Sequence, residues 1–317
     1  MHIDYMNVVK KNMFMTTELI KVIDLLDQKN IHVLVLKGPV LSQLAYNSIV
    51  SRQYADIDIL VDEKDILSVS KILLDNQYRT EFTPQLLKNK TYLKIDNDFS
   101  FFSKKNVHLE LHWRLFRKKL GIHQTFYDYY QDSYKVKLSN TYARTLSLEY
   151  TLVYLSIHGS KHAWERIEWI NDIYFLINKH LPKIDWDEVL KITHNMQSNL
   201  ALFSALKLCK VFYDLSLPIN IEKKISSNKV ENIAQEAIYF ISKPQSEQNN
   251  YNHYKQVMLF QTKLLPTKTA KIRYILNSYF TITRNDFFAF PLPPYLYFTY
   301  YFIKPIRIIL KIFTQQK

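Results

Sequence analysis

The chain has only three glycines in 317 residues. Dinucleotide-binding and P-loop folds need glycine-rich phosphate loops, so both are disfavoured. A single cysteine, Cys209, excludes a disulfide framework and a zinc knuckle of the Cys-x-x-Cys kind. Acids are also short: 29 Asp and Glu stand against 42 Lys and Arg, giving a net charge of +13 and a pI near 9.4. Such an excess suits an anionic partner: nucleotide phosphates, nucleic acid or an anionic membrane surface. The lysines are scattered rather than run together, so the support for nucleic acid is weak. The N-terminal stretch lacks the apolar run of a signal peptide, and the expected location is cytoplasmic. Apolar residues make up 47% of the chain, ample for one large domain or two small ones.

What is present centres on residues 36–61, LKGPVLSQLAYNSIVSRQYADIDILV. An apolar strand-like run ends in Lys37-Gly38, and a second strand carries Asp56-Ile57-Asp58. Side chains alternate along a strand, so the two aspartates share a face while Ile57, Ile59 and Val61 enter a core. Their Cα atoms then lie roughly 7 Å apart, close enough to converge on one or two cations. The plainer alternative is an exposed edge strand with two solvated acids. Against it, carboxylates about 4 Å apart repel by several kcal/mol, a cost that a divalent ion removes. On this reading, deleting either aspartate raises the melting temperature slightly in metal-free buffer. A later strand, residues 107–113, places His108, Glu110 and His112 on one face and Leu109, Leu111 and Trp113 on the other.

Leu36-Lys37-Gly38, Arg52, Asp56-Ile57-Asp58-Ile59-Leu60-Val61 and Glu110-Leu111-His112-Trp113-Arg114 together resemble the bacterial uncharacterised nucleotidyltransferase family. That family belongs to the superfamily typified by DNA polymerase beta. The resemblance continues in His158-Gly159-Ser160-Lys161-His162-Ala163-Trp164, in Trp169 and Asp172, and from Pro291 to Arg307. It implies an α+β fold: a mixed sheet with flanking helices in residues 1–140, then a mostly helical domain over 141–317 that covers the active face. The implied activity is metal-dependent transfer of a nucleoside monophosphate from an NTP such as ATP to a small-molecule or glycan-precursor acceptor. Asp56, Asp58 and Glu110 would be catalytic and would hold Mg²⁺ or Mn²⁺. Lys37, Gly38, Arg52, His112, His158, Lys161 and His162 would bind the nucleotide. Pro39 departs from the superfamily's Gly-Ser turn and removes an N–H donor, leaving Lys37 and Arg52 as the better phosphate contacts. Two alternatives stand beside this reading: an enzyme that modifies RNA or protein, as toxins of this superfamily do, and a non-catalytic nucleotide-binding protein. A pairing of Glu110 with Arg52 or Arg114 would make it a structural acid.

In chain order, residues 5–28 read as an amphipathic helix, followed by a strand over 31–36, a short helix, the strand at 55–61 and a helix to about residue 75. Residues 78–82, 91–95 and 98–103 read as short strands. From residue 147 the pattern is helical, near 147–163, 165–180, 185–195, 198–213, 228–242 and 252–264, with a loop over 243–253. The segment 295–313 is aromatic and basic, but Lys304, Pro305, Arg307 and Lys311 interrupt it too often for a membrane span. It is expected to pack on the protein with its basic edge solvated; weak peripheral membrane contact through 295–313 is the second reading.

Overall fold

The computed structural model describes residues 5–116, 124–243 and 251–314. They fall into two compact units, one made of 5–116, 124–154 and 175–189, the other of 155–174, 190–243 and 251–314. Among the described residues, no helix is long and apolar enough to cross a membrane.

The first unit is built on a four-stranded mixed sheet of strands β1 (Leu34–Val35), β2 (Asp56–Leu60), β3 (Asp98–Phe102) and β4 (His108–His112). The spatial order is β1-β2-β4-β3, with β2 and β4 parallel and the outer pairs antiparallel. The parallel pair lies in the middle of the sheet, where both neighbours satisfy its backbone groups. Ile57, Ile59, Phe99, Phe101, Leu109 and Leu111 are fully buried on the same face. Helix Tyr5–Asp27 buries Met15, Leu19, Val22, Ile23 and Leu26 at the expected helical spacing. Its Asn12 amide donates to the carbonyls of Arg52 (2.7 Å) and Ile49 (3.2 Å), fixing the connection that leads into β2. The resulting α+β architecture is the expected one.

Two local expectations fail. Residues 91–95 lie in a helix, Lys90–Ile95, because the Asn89 side chain accepts from the backbone N–H groups of Thr91 (2.9 Å) and Tyr92 (3.1 Å). That cap outweighs the strand preference of the Tyr-Leu-Ile content. Residues 78–82 add only an isolated bridge, Arg79 to Phe102. The structure also shows an unanticipated hairpin, β5 (Tyr134–Leu138) and β6 (Thr141–Thr145), turning at Ser139 with φ of 54°.

The second unit is helical, and the helices expected from periodicity are found as Glu168–His180, Asn199–Tyr213, Asn228–Ser242 and Tyr251–Lys263, the first of them shared with the first unit. Of the expected loop, residues 244–250 lie outside the described residues. Helix Leu148–Lys161 ends in an uncommon turn in which Ala163 (φ 48°) and Trp164 (φ 60°) are both left-handed. Gly159 makes the turn possible. A Cβ there would sit 2.2 Å from the ring of the fully buried Trp164.

Candidate active site

The parallel register of β2 and β4 places Asp56 beside His108, Asp58 beside Glu110 and Leu60 beside His112. Alternation then turns Asp56, Asp58, His108, Glu110 and His112 to one face, opposite the apolar core. The antiparallel neighbour β3 brings Ser100 next to Glu110 and Asp98 next to His112. Phe102 stacks on His108 with ring centroids 4.8 Å apart. Two groups of metal-ligating atoms form on this face, each within 4.8 Å: Asp56, His108 and Glu110, and Asp58, Glu110 and His112. Glu110 belongs to both.

Lys37 follows Leu36, whose N–H is bonded to the Asp58 carbonyl at 2.9 Å. The lysine Nζ lies 3.2 Å from Asp58 Oδ1, and the carboxylate is 1% exposed. Gly38 starts helix Gly38–Tyr46 with a φ of 60°, and a Cβ there would lie 3.3 Å from the Asp56 carbonyl. Glycine is required both by the left-handed backbone and by the close approach to β2. Pro39 sits in the first turn of that helix, where its missing N–H costs nothing.

His112 completes the cluster. Its Nε2 is 3.4 Å from Asp58 Oδ1 and 3.2 Å from Glu110 Oε2. Burial pulls the imidazole toward the neutral form, yet its contacts with Asp58 and Glu110, with Asp98 nearby, push its pKa up to about 10. A doubly protonated ring needs an acceptor at Nδ1. The Asn97 amide is 3.2 Å from that atom and supplies one when its oxygen faces the ring. Burial also works against the charged form of Lys37, but Asp58 above all, then Tyr154, Asp56 and Glu110, hold the ammonium well above the usual lysine range. Asp56 moves the other way from most surface acids. Burial and then repulsion by Asp58 raise its carboxyl, with Lys37 opposing.

Glu110 is therefore not the partner of a structural arginine. Arg114 pairs with Glu63 and donates to the carbonyls of Leu93 (2.6 Å) and Asp96 (3.2 Å). Arg52 lies in the connection before β2, its carbonyl held by Asn12 and its charge acting on the Tyr54 phenol. Lys37, Asp56, Asp58, Glu110 and His112 are thus brought together, with Gly38 in the adjoining turn. Of the other residues expected to bind nucleotide, His158 and His162 assemble in the second unit with Trp169, their ring centroids 5.1 to 5.5 Å apart. Lys161 is exposed beside them, its carbonyl accepting from Gln261.

Two contributors escaped the sequence reading as site residues. His108 carried a signal, because it shares the two-residue period of Glu110 and His112. Tyr154 carried none: it is a buried phenol on helix Leu148–Lys161, whose pKa is pushed up by burial above all and by Asp58, Glu110 and Asp56, with Lys37 opposing.

The donor set of three carboxylates and two imidazoles, grouped around a shared glutamate, fits divalent cations. Against this geometry stands a match of residues 4–214 to the uncharacterised nucleotidyltransferase family. The chain belongs to that family. No curated protein matches it in sequence. Among solved structures it is similar to ANT(2")-Ia in complex with adenylyl-2"-tobramycin, at 12% identity and a TM-score of 0.42, over 58% of this chain and 98% of that one. It is also similar to an antigenic nucleotidyltransferase-like protein from Paracoccidioides brasiliensis, at 16% identity and a TM-score of 0.36, over 64% and 96% of the two chains.

Proposed function

We propose that this nucleotidyltransferase moves a nucleoside monophosphate from an NTP to a hydroxyl, amine or phosphate of a small molecule or glycan precursor, with Mg²⁺ or Mn²⁺ held by Asp56, Asp58 and Glu110. The observation that carries this reading is the in-register pairing of Asp58 with Glu110, which makes one glutamate common to two cation-sized clusters. Divalent cations at such a site neutralise charge developing on the α-phosphate and the leaving pyrophosphate, and they acidify an attacking hydroxyl.

The chain's own groups supply the rest. Lys37, kept protonated at the strand end beside Gly38, donates to phosphate oxygens as a point charge. Glu110, with 27% of its side chain exposed, is the acid best placed to take the acceptor's proton. The acceptor oxygen or nitrogen bonds to the α-phosphorus, the α–β phosphoanhydride bond breaks, and the electron pair leaves with pyrophosphate. His108 and His112 complete the donor set, with Asn97 fixing the orientation of His112. Lys37 and Arg52, the phosphate contacts expected in the first unit, suit a triphosphate better than a long nucleic-acid backbone. Arg114 is moreover engaged by Glu63. A compact acceptor is the better match.

The test is transfer of label from α-labelled NTPs, with pyrophosphate release followed in parallel, in Mg²⁺, Mn²⁺ and EDTA. Wild type should act only with the cation, and Asp56→Asn should lose about a hundredfold or more of that activity. Undiminished turnover in Asp56→Asn, or in EDTA, would place the chemistry elsewhere.

A further inference from the structure

The last described helix, Tyr300–Thr314, leaves large apolar side chains in water. Lys304 and Arg307 face the protein, beside the fully buried Tyr300. Lys304 is 6% exposed and donates to the Thr281 carbonyl. Arg307 donates to the Asn285 carbonyl at 2.8 Å and pairs at 3.0 Å with the fully buried Asp286. Asp286 is in turn fixed by the capping box with Thr283. On the opposite side of the same helix Phe302 is 68% exposed and Ile306 58% exposed, one turn apart, and Phe298 just before the helix is 60% exposed. A surface helix in water places these groups the other way round. The expected solvated basic edge is not found at Lys304 and Arg307, which engage the protein; the Lys311 side chain lies outside the described residues.

The neighbouring helix Lys268–Phe280 also leaves apolar side chains exposed. It buries Tyr274 and exposes Ile272, Leu276 and Tyr279, spaced four and three residues apart, with Lys268 and Arg273 exposed beside them. Both stripes lie beyond the 4–214 family match. We propose that this C-terminal face docks on an anionic phospholipid bilayer, lying in its interface without spanning it.

Charge selects the bilayer over a second copy of the chain. Of the Lys and Arg in residues 265–314, Lys304 and Arg307 are turned to the protein while Lys268 and Arg273 are exposed, and the single acid of the segment, Asp286, is already engaged by Arg307. A twofold self-contact would set this basic face against itself. Anionic headgroups meet the exposed lysine and arginine, while the acyl boundary accepts Phe, Ile and Leu, and tyrosine suits the headgroup level. Such binding does not require the transfer reaction proposed above, and the test below does not use it.

Full-length protein is sedimented with vesicles of phosphatidylcholine alone and of phosphatidylcholine mixed with phosphatidylglycerol. The comparison variant carries Phe298→Ser, Phe302→Ser and Ile306→Ser, all at exposed positions, and its melting temperature is measured alongside. Each buried apolar side chain is worth about tenfold or more in transfer from water, so the variant should bind the anionic vesicles at least about a hundredfold more weakly while melting like wild type. Wild-type binding should weaken as salt rises above about 0.15 M. Three results would overturn the proposal: no wild-type binding to anionic vesicles, equal binding by the variant, or lipid-free self-association of wild type that the variant abolishes. The last would assign the face to a second copy.

Discussion

Replacing Asp58 with asparagine should destabilise the protein in metal-free buffer, although it removes one of several crowded acids. Asp58 Oδ1 is 3.2 Å from Lys37 Nζ and 3.4 Å from His112 Nε2, in a pocket where the carboxylate is almost fully shielded from water. At an effective dielectric of about 20, each contact is worth about 5 kcal/mol before desolvation is counted. Breaking a buried pair from one side costs about 3–5 kcal/mol net, because the partner charge stays buried. Asparagine still offers Lys37 an acceptor, and His112 keeps Glu110 at 3.2 Å, so the low end of that range, about 3 kcal/mol, applies. At about 2–4 °C per kcal/mol for a domain of this size, the melting temperature should fall by about 6–12 °C. Asp56→Asn should behave oppositely. Among the described residues Asp56 has no cation as close as those on Asp58, and its carboxyl is raised by burial and by Asp58, so its neutralisation should leave the melting temperature unchanged or slightly higher. Melting curves by circular dichroism in EDTA at pH 8 compare the two. An Asp58→Asn protein that melts with or above wild type would refute the pairing. This replaces the simpler expectation from sequence that loss of either aspartate is mildly stabilising.

The pH dependence has a definite sign. His112 titrates near 6.5 when unfolded and about 10 when folded, so its contribution is fully present below about pH 6.5 and is lost as the pH rises toward 10. In EDTA the wild-type melting temperature should therefore decline from pH 7 to pH 10, and His112→Gln should flatten the decline; parallel curves would remove His112 from the cluster. Gly159→Ala should cost about 3 kcal/mol or more, because the new methyl would meet the Trp164 ring at 2.2 Å and that ring is fully buried. A urea midpoint that shifts by less than about 0.5 kcal/mol equivalent would show that the ring moves freely.

The sequence shows the face on which each site residue lies, because alternation along residues 56–61 and 107–113 is a local property. It does not show which residues are neighbours across the sheet. Pairing of Asp58 with Glu110 depends on the register of two strands about fifty residues apart, which no local pattern encodes. The cations that share Asp58 were hidden for the same reason, since Lys37 and His112 reach it from two other strand ends. The hairpin at 134–145 was legible and passed over: Val136, Leu138, Ala143 and Thr145 alternate inward around a Ser139-Asn140 turn. Residues 91–95 misled because strand-favouring residue types were weighed above the Asn89 cap. The C-terminal helix misled differently. A rule that apolar residues go inward does not foresee Phe302 and Ile306 on the outside while the buried acid Asp286 draws Arg307 to the protein side, next to the buried Tyr300.

The charge pattern of the site also explains how the fold tolerates it without a bound cation. Asp56, Asp58 and Glu110 together would place three negative charges on one face, but Lys37 and protonated His112 return two positive charges, and burial favours the neutral form of Asp56. The cluster is then close to neutral, and a triphosphate can approach it. Under the proposed reaction the two cations are also the groups that must exchange partners. Asp58, Glu110 and His112 would hold a divalent ion only with the imidazole neutral, so His112 would give up its proton on binding. Asp58 would then be shared between the ion and Lys37, which would free the ammonium to meet phosphate. Under that proposal Lys37 would serve Asp58 in one state and the nucleotide in the other, from its position at the end of β1 beside a glycine held against β2.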